Sequence, residues 1–320
     1  MRVDVHCHYY PRAYLERLEE LGRAVRRMTG AVPGFSFEVG VDRQLELLDA
    51  AGIDAQVLSV GNQPPYFSDP RQAASTARMA NDLYADLCSR YSGRFLAFGA
   101  VPLPHVDAAL AELERALDSL GCVGIGLGSS VLERPLDDPA FDAVFAELDR
   151  RAAVVFVHPV GAGGGLNSED FGLTWMLGSR FEDTITAARL ILSGLTLRYP
   201  RIRFIIPHLG GTLPLFLQRM DNVAERQDWH RLSTEVKPSD LLRRMWFDSV
   251  NEHPAALRCA CEAFGVDRLL LGTDWPFLPP DKLRRCVTYV EQALPQPDAS
   301  AILDRNAAQL LGLAAPAARV

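Results

Sequence analysis

Eight short apolar or β-branched runs recur along the chain, each followed by a stretch with helical periodicity, and few folds accommodate that order. The runs cover 3–8, 55–60, 95–103, 123–128, 153–158, 202–208, 246–250 and 268–274. The helical stretches cover 43–51, 71–91, 106–120, 139–151, 181–199, 213–226, 254–264 and 281–294, with a terminal helix around 299–313. Asp138-Pro139 and His253-Pro254 mark helix starts, and Gly121 and Gly265 mark stops. Strands in such a repeat run parallel and are joined by crossovers, so eight of them predict a closed (β/α)8 barrel, an α/β fold of the TIM type. At 320 residues the chain suits one such domain over 1–320. A doubly wound open sheet is the other arrangement, but neither GxGxxG after the first strand nor GxxxxGK[ST] is present to support its nucleotide-binding form.

In a barrel the chemically active groups come from the C-terminal ends of the strands. Here those ends read HCH, VFVHP, IIPHLGG, MWFDS and LLLGTDWPF, which carry His6 and His8, His158, His208, Asp248 and Asp274. Strand alternation predicts that His6 and His8 face one way and Val3, Val5 and Cys7 the other. Any one of these residues alone reads as a satisfied structural histidine or a capping aspartate. Four of the seven histidines falling at three strand ends argues for a shared site. His105, His230 and His253 fall in connecting segments and read as structural.

Three imidazoles and a carboxylate suit a borderline-soft divalent ion, zinc first and manganese second. His6, His8, His158 and Asp274 are the expected ligands, with His208 beside them to accept or deliver a proton. A bridged pair of metals on this scaffold commonly uses a lysine carbamate. The only lysines, Lys237 and Lys282, do not end strands, and strand four finishes VGIGLG, so one metal per chain is expected.

The net charge of -7 is spread without long blocks of one sign, which gives no footprint for nucleic acid or an anionic membrane. No apolar run approaches the roughly 18 residues of a membrane span, and no secretory leader precedes the first strand, so a cytoplasmic protein is expected. The six cysteines show no CxxC spacing, and Cys259-x-Cys261 lies on a helical stretch where the two side chains diverge. The stretch GAGGGLN, 161–167, reads as a loop over the barrel mouth.

The segments DVHCHYYP, LLDAAGIDAQVLS, FGAVPL, VGIGLG, VFVHP, LILSGLTLRYPRIRFIIPHLGG, FLQRMDN and LLLGTDWPF together resemble the amidohydrolase superfamily, in particular its aminocarboxymuconate-semialdehyde decarboxylase-like branch. The resemblance implies a distorted barrel with one divalent metal on His6, His8, His158 and Asp274, and His208 as the catalytic histidine. It implies a non-oxidative decarboxylase of an aromatic or muconate-like acid in which His208, alone or with Asp274, handles the proton. The alternative within enzymes is a hydrolase or hydratase of a lactone, amide or unsaturated acid that uses the same metal-bound hydroxide. A degenerate barrel serving as a binding protein would be expected to lack some ligand positions, and here all are present.

By the same resemblance Arg219 matches an arginine that reaches the substrate carboxylate of a neighbouring subunit, which implies a homodimer; otherwise it is a helix-surface arginine. A second carboxylate-binding arginine of the family falls on Gln44. Arg43 stands one residue away, a turn of about 100° on a helix. Trp175 is a candidate apolar wall for a flat substrate or, alternatively, a core tryptophan.

Overall fold

All eight apolar runs form strands in the computed structural model, which describes residues 1–25, 40–162, 170–226, 236–277 and 281–313. They are β1 (Val3–His8), β2 (Ala55–Ser59), β3 (Phe95–Ala100), β4 (Gly124–Gly128), β5 (Val154–His158), β6 (Arg203–Ile206), β7 (Trp246–Asp248) and β8 (Leu269–Leu270). Neighbours in sequence are parallel neighbours in space. The sheet closes on itself where Val5 N–H donates to Leu271 O (2.9 Å) and His8 N–H to Trp275 O (2.7 Å). The expected (β/α)8 barrel is therefore the fold.

Its outer layer is α1 (Val41–Ala51), α2 (Pro70–Arg90), α3 (Val106–Glu114), α4 (Asp142–Arg150), α5 (Ser179–Leu192), α6 (Leu213–Ala224), α7 (Pro254–Phe264) and α8 (Lys282–Ala293). Helix α2 shows why the starts fall where they do: Asp69 accepts the N–H groups of Arg71 and Gln72 (2.9 Å each), and Pro70 fills the first turn, where no donor is needed. Several expected helices are broken. The stretch 106–120 ends as a π turn (Arg115–Ser119), 139–151 begins as a 3-10 turn (Pro139–Phe141), and 181–199 divides at Gly194, whose φ of 77° restarts it as Leu195–Arg198. The terminal helix is Gln296–Ser300, a π turn and Asn306–Leu310. Helices Arg12–Glu20 and Pro238–Leu242, and a hairpin of Ser130–Val131 with Arg134–Pro135, have no counterpart in the sequence reading. Of the expected mouth loop, 163–167 lies outside the described residues, as does His230.

The interior of the barrel is a separate apolar cluster in which Val3, Val5, Val57, Phe98, Phe156 and Ile205 pack together. Ala307 and Leu310 of the terminal helix join that same cluster. This overturns the simple alternation expected for β1. Asp4 pairs with Gln56 and Cys7 with Leu58, so Val5 and His6 together oppose the single residue Val57. That is a β-bulge. It lets Val3 and Val5 point inward with the later histidines, while Cys7 packs in the outer layer against the helices.

Phe98 is buried and stacks on Phe156 with ring centroids 5.4 Å apart. Phe98→Ala should lower stability by about 3–5 kcal/mol, read as a lower urea midpoint with an unchanged slope. A shift worth under about 1 kcal/mol would mean that the interior collapses around the loss.

Candidate metal centre

The strand ends converge as the sequence suggests. One ligand atom each from His6, His8, His158 and Asp274 lies within 4.8 Å of the other three. His6 Nε2 stands 3.0 Å from His8 Nε2, and both are 3.1 Å from Asp274 Oδ1. The His158 ring meets those of His6 and His8 edge-on, at centroid separations of 5.1 and 4.5 Å. The three histidines are buried, whereas the Asp274 side chain keeps 13% of its surface. His158 Nε2 is buried without a hydrogen-bond partner, and so is His208 Nε2, which lies 3.5 Å from Asp274 Oδ2. Two orphaned imidazole nitrogens facing a carboxylate fit a cation between them.

Each ring is held by its other nitrogen. His6 Nδ1 donates to Asp248 Oδ2 (2.7 Å), His158 Nδ1 to Pro159 O (2.7 Å) and His8 Nδ1 to Ser59 Oγ (3.0 Å), whose own hydroxyl donates to Cys7 O (3.1 Å). His208 Nδ1 donates to Asp183 Oδ2 (2.8 Å). These bonds fix the tautomer and leave every Nε2 aimed inward. After β2 the chain passes so near His8 that a Cβ on Gly61 would lie 2.3 Å from its Nδ1, so only glycine fits there.

The runs 202–208 and 268–274 do not continue as strands to their polar ends. β6 stops at Ile206 because Pro207 has no N–H for the ladder, and the His208 N–H turns to Asp248 Oδ1 (2.8 Å). β8 stops at Leu270, and the Asp274 N–H crosses to His6 O (2.8 Å). His208 and Asp274 then adopt left-handed backbone, with φ of 58° and 57°, at roughly 1–3 kcal/mol each.

Burial lowers His8 to about 4 and holds His158 well below the usual imidazole range, so both are neutral at pH 7. Burial also opposes charge on His6, but the carboxylates of Asp248 and Asp274 outweigh it and raise His6 to about 10. The same contacts overcome burial at Asp274, holding it well below the carboxylate range, and lower Asp248 as well. Of the three imidazoles, His6 is thus the one whose surroundings favour a proton.

The other sequence candidates sit on the elements that connect the strands. Arg219, on α6, lines an apolar cavity between α5 and α6 with Phe181, Ile185, Phe216 and Met220. Trp175 sits in a π turn (Thr174–Gly178), half exposed, with its ring against Gly161 just after β5. Arg43 is exposed and paired with Glu46 (2.6 Å), while Gln44 is buried and donates to Gln56 Oε1 (2.7 Å), so Arg43 does not take an inward role. His105 reaches Phe67 O (2.9 Å), a structural contact. Sequence reading gave no role to Asp183 or Ser59, and none to Asp248 beyond its place at a strand end. It also missed Glu182, which accepts the N–H groups of Val160 (2.6 Å), Gly161 (3.2 Å) and Ala162 (2.9 Å) and the Ser129 hydroxyl. Only Asp248 carried a sequence signal, as the polar end of an apolar run.

Residues 3–313 match the Amidohydrolase family. The chain is 28% identical over 278 residues to the 2-amino-3-carboxymuconate-6-semialdehyde decarboxylase of Dictyostelium discoideum, covering 85% of this chain and 76% of that one. It is 33% identical over 258 residues to the gamma-resorcylate decarboxylase of Rhizobium sp. (strain MTP-10005), covering 74% and 76%. Among solved structures, a 2,6-dihydroxybenzoate decarboxylase complexed with 2,6-dihydroxybenzoate superposes with a TM-score of 0.83 at 27% identity, over 98% of this chain and 99% of that one.

Because Asp248 and Asp274 favour a proton on His6 that an ion on its Nε2 would displace, zinc added to metal-stripped protein near pH 7 should release about one proton per ion taken up. The sign follows from the raised His6: below about 10 the proton competes, so apparent affinity should rise by about tenfold per pH unit between pH 6 and 8. A pH-independent affinity would place the balancing proton elsewhere.

Proposed function

The chain belongs to the Amidohydrolase family, and from that premise we propose that it is a metal-dependent, non-oxidative decarboxylase of a small aromatic or unsaturated carboxylic acid. The observation that carries the reading is the buried set of His6, His8, His158 and Asp274 with the free Nε2 of His208 beside it. Relatives named as decarboxylases support the reaction type. One ion per chain is expected on the four ligands, zinc first from the nitrogen-rich donor set and manganese second. Bound there, a divalent ion would supply Lewis acidity and a template for the substrate.

The protein's own groups then handle the proton. Asp183 holds Nδ1 of His208 and so turns Nε2 toward the centre, 3.5 Å from Asp274 Oδ2. His208, alone or with Asp274, handles the proton: its Nε2 takes one up from solvent and delivers it to the carbon that bears the carboxylate. The bond to the carboxylate breaks, carbon dioxide leaves, and its electron pair restores the conjugated system. Trp175 offers a flat apolar wall beside the loop after β5. With Gln44 in the core and Arg43 on the surface, neither residue offers the second carboxylate clamp that the resemblance implies at this place, which supports a substrate with one carboxylate.

Arg219 is read as serving the site of a second copy in a homodimer. The apolar surface around it supports that reading: Leu215 is 74% and Ile185 54% exposed, beside Phe181 and Phe216. Residues 1–320 are taken as one barrel domain. The six cysteines are all free and suit a reducing cytoplasm, and no described helix is long and apolar enough to cross a membrane.

Metal-loaded protein should release carbon dioxide from 2,6-dihydroxybenzoate or a related aromatic acid. His208→Ala should lower kcat by about 10²–10⁴ while metal content persists. Loss of metal in that variant would instead make His208 a ligand, and a hydrolysed product without carbon dioxide would overturn the decarboxylase reading. Mixing inactive His208→Ala and Arg219→Ala chains should recover activity, because one site of the mixed dimer then has both residues intact. No recovery would place Arg219 outside the partner's site.

A further inference from the structure

The bulge in β1 leaves Asp4 facing outward, into the layer between barrel and helices, where it is fully buried. A carboxylate there requires donors, and four converge on it. Oδ1 accepts the backbone N–H of His6 (3.1 Å) and of Thr273 (3.0 Å). Oδ2 accepts the Thr273 hydroxyl (2.6 Å) and Gln56 Nε2 (2.8 Å). Behind it Gln56 Oε1 accepts Gln44 Nε2, which also reaches Cys7 Sγ (3.7 Å). One buried group therefore holds the N–H of the first ligand residue and the residue immediately before the last ligand, Asp274.

We propose that Asp4 is a positioning residue of the metal centre, its carboxylate setting the spacing of His6 and Asp274 by bridging the bulge of β1 to Thr273. The inference rests on the metal reading above. Asp4 does not touch the ion: it sits on the opposite face of the strand from the His6 ring and acts through backbone. Gln44 and Gln56 hold the carboxylate in register, which gives the glutamine at position 44 a function in the core.

The test uses the whole chain and zinc, with affinity read by competition against a chromogenic chelator and geometry read from the visible spectrum of the cobalt(II) form. Asp4→Asn keeps the shape and one oxygen but sets an amide NH2 against that of Gln56. It should bind zinc about 10–100-fold more weakly and alter the cobalt spectrum. Adding Gln56→Glu restores a complementary acid and amide with the charge moved to position 56, and should recover both readouts. Thr273→Val, which removes one of the four donors to Asp4 and the acceptor of the Trp275 N–H (3.3 Å), should lose affinity by a smaller factor, and it decides the matter if Asp4→Asn does not fold. Wild-type affinity in Asp4→Asn, or in Thr273→Val where that variant decides, overturns the proposal. So does a loss that Gln56→Glu does not recover. A wild-type chain that takes up no zinc overturns the metal reading itself, a result distinct from either.

Discussion

Hydrogen bonds across the seam between β1 and the chain after β8 close the barrel, and the candidate centre depends on that closure. Val5 N–H to Leu271 O, Asp274 N–H to His6 O and His8 N–H to Trp275 O join the first strand to the eighth. The same bonds bring two histidines from the start of the chain against a carboxylate near its end. Closure also satisfies the edges that an open parallel sheet would leave exposed. Because the seam is local to the site, a shift of register there would move both ligand pairs at once.

Burial then determines the charge state. A lone imidazolium or carboxylate at this depth would neutralise itself, and the site avoids that by alternating sign: Asp248, His6 and Asp274 in sequence. Their pairing keeps two carboxylates ionised while His8 and His158 stay neutral. A neutral His8 and His158 and an ionised Asp274 are states a divalent cation requires, and the proton favoured on His6 is the one it would displace. The left-handed backbone of His208 and Asp274 adds strain, held in place by the Asp248 and His6 contacts rather than by strand pairing.

The barrel was legible in the sequence because eight buried strands separated by amphipathic helices repeat on a scale that periodicity detects. The ligand set was legible because polar residues at the ends of apolar runs stand out against a core. The orientation of β1 was not: alternation assumes an unbroken ladder, and a bulge between Asp4 and Cys7 leaves no mark in VDVHCH. Strand ends at Ile206 and Leu270 were missed for a related reason, since apolar character continues past the point where the backbone leaves the sheet. Asp183 was missed because an acidic residue in the first turns of a helix is ordinary, and only the fold brings it to His208.

Glu182 and Asp183 show how such unremarked positions can order a site. Adjacent residues on α5 diverge by about 100°, so the two carboxylates reach different neighbours. Glu182 gathers the N–H groups of Val160, Gly161 and Ala162, the loop that leaves His158, while Asp183 takes Nδ1 of His208 after β6. One helical turn thereby couples the chain beyond two successive strands. Burial raises the Asp183 carboxyl above its ordinary range, and the contact with His208 opposes that rise. Since the helix packs into the barrel wall through Ala187, Leu190 and Ile191, the orientation of His208 is tied to the rigid part of the fold rather than to its loops.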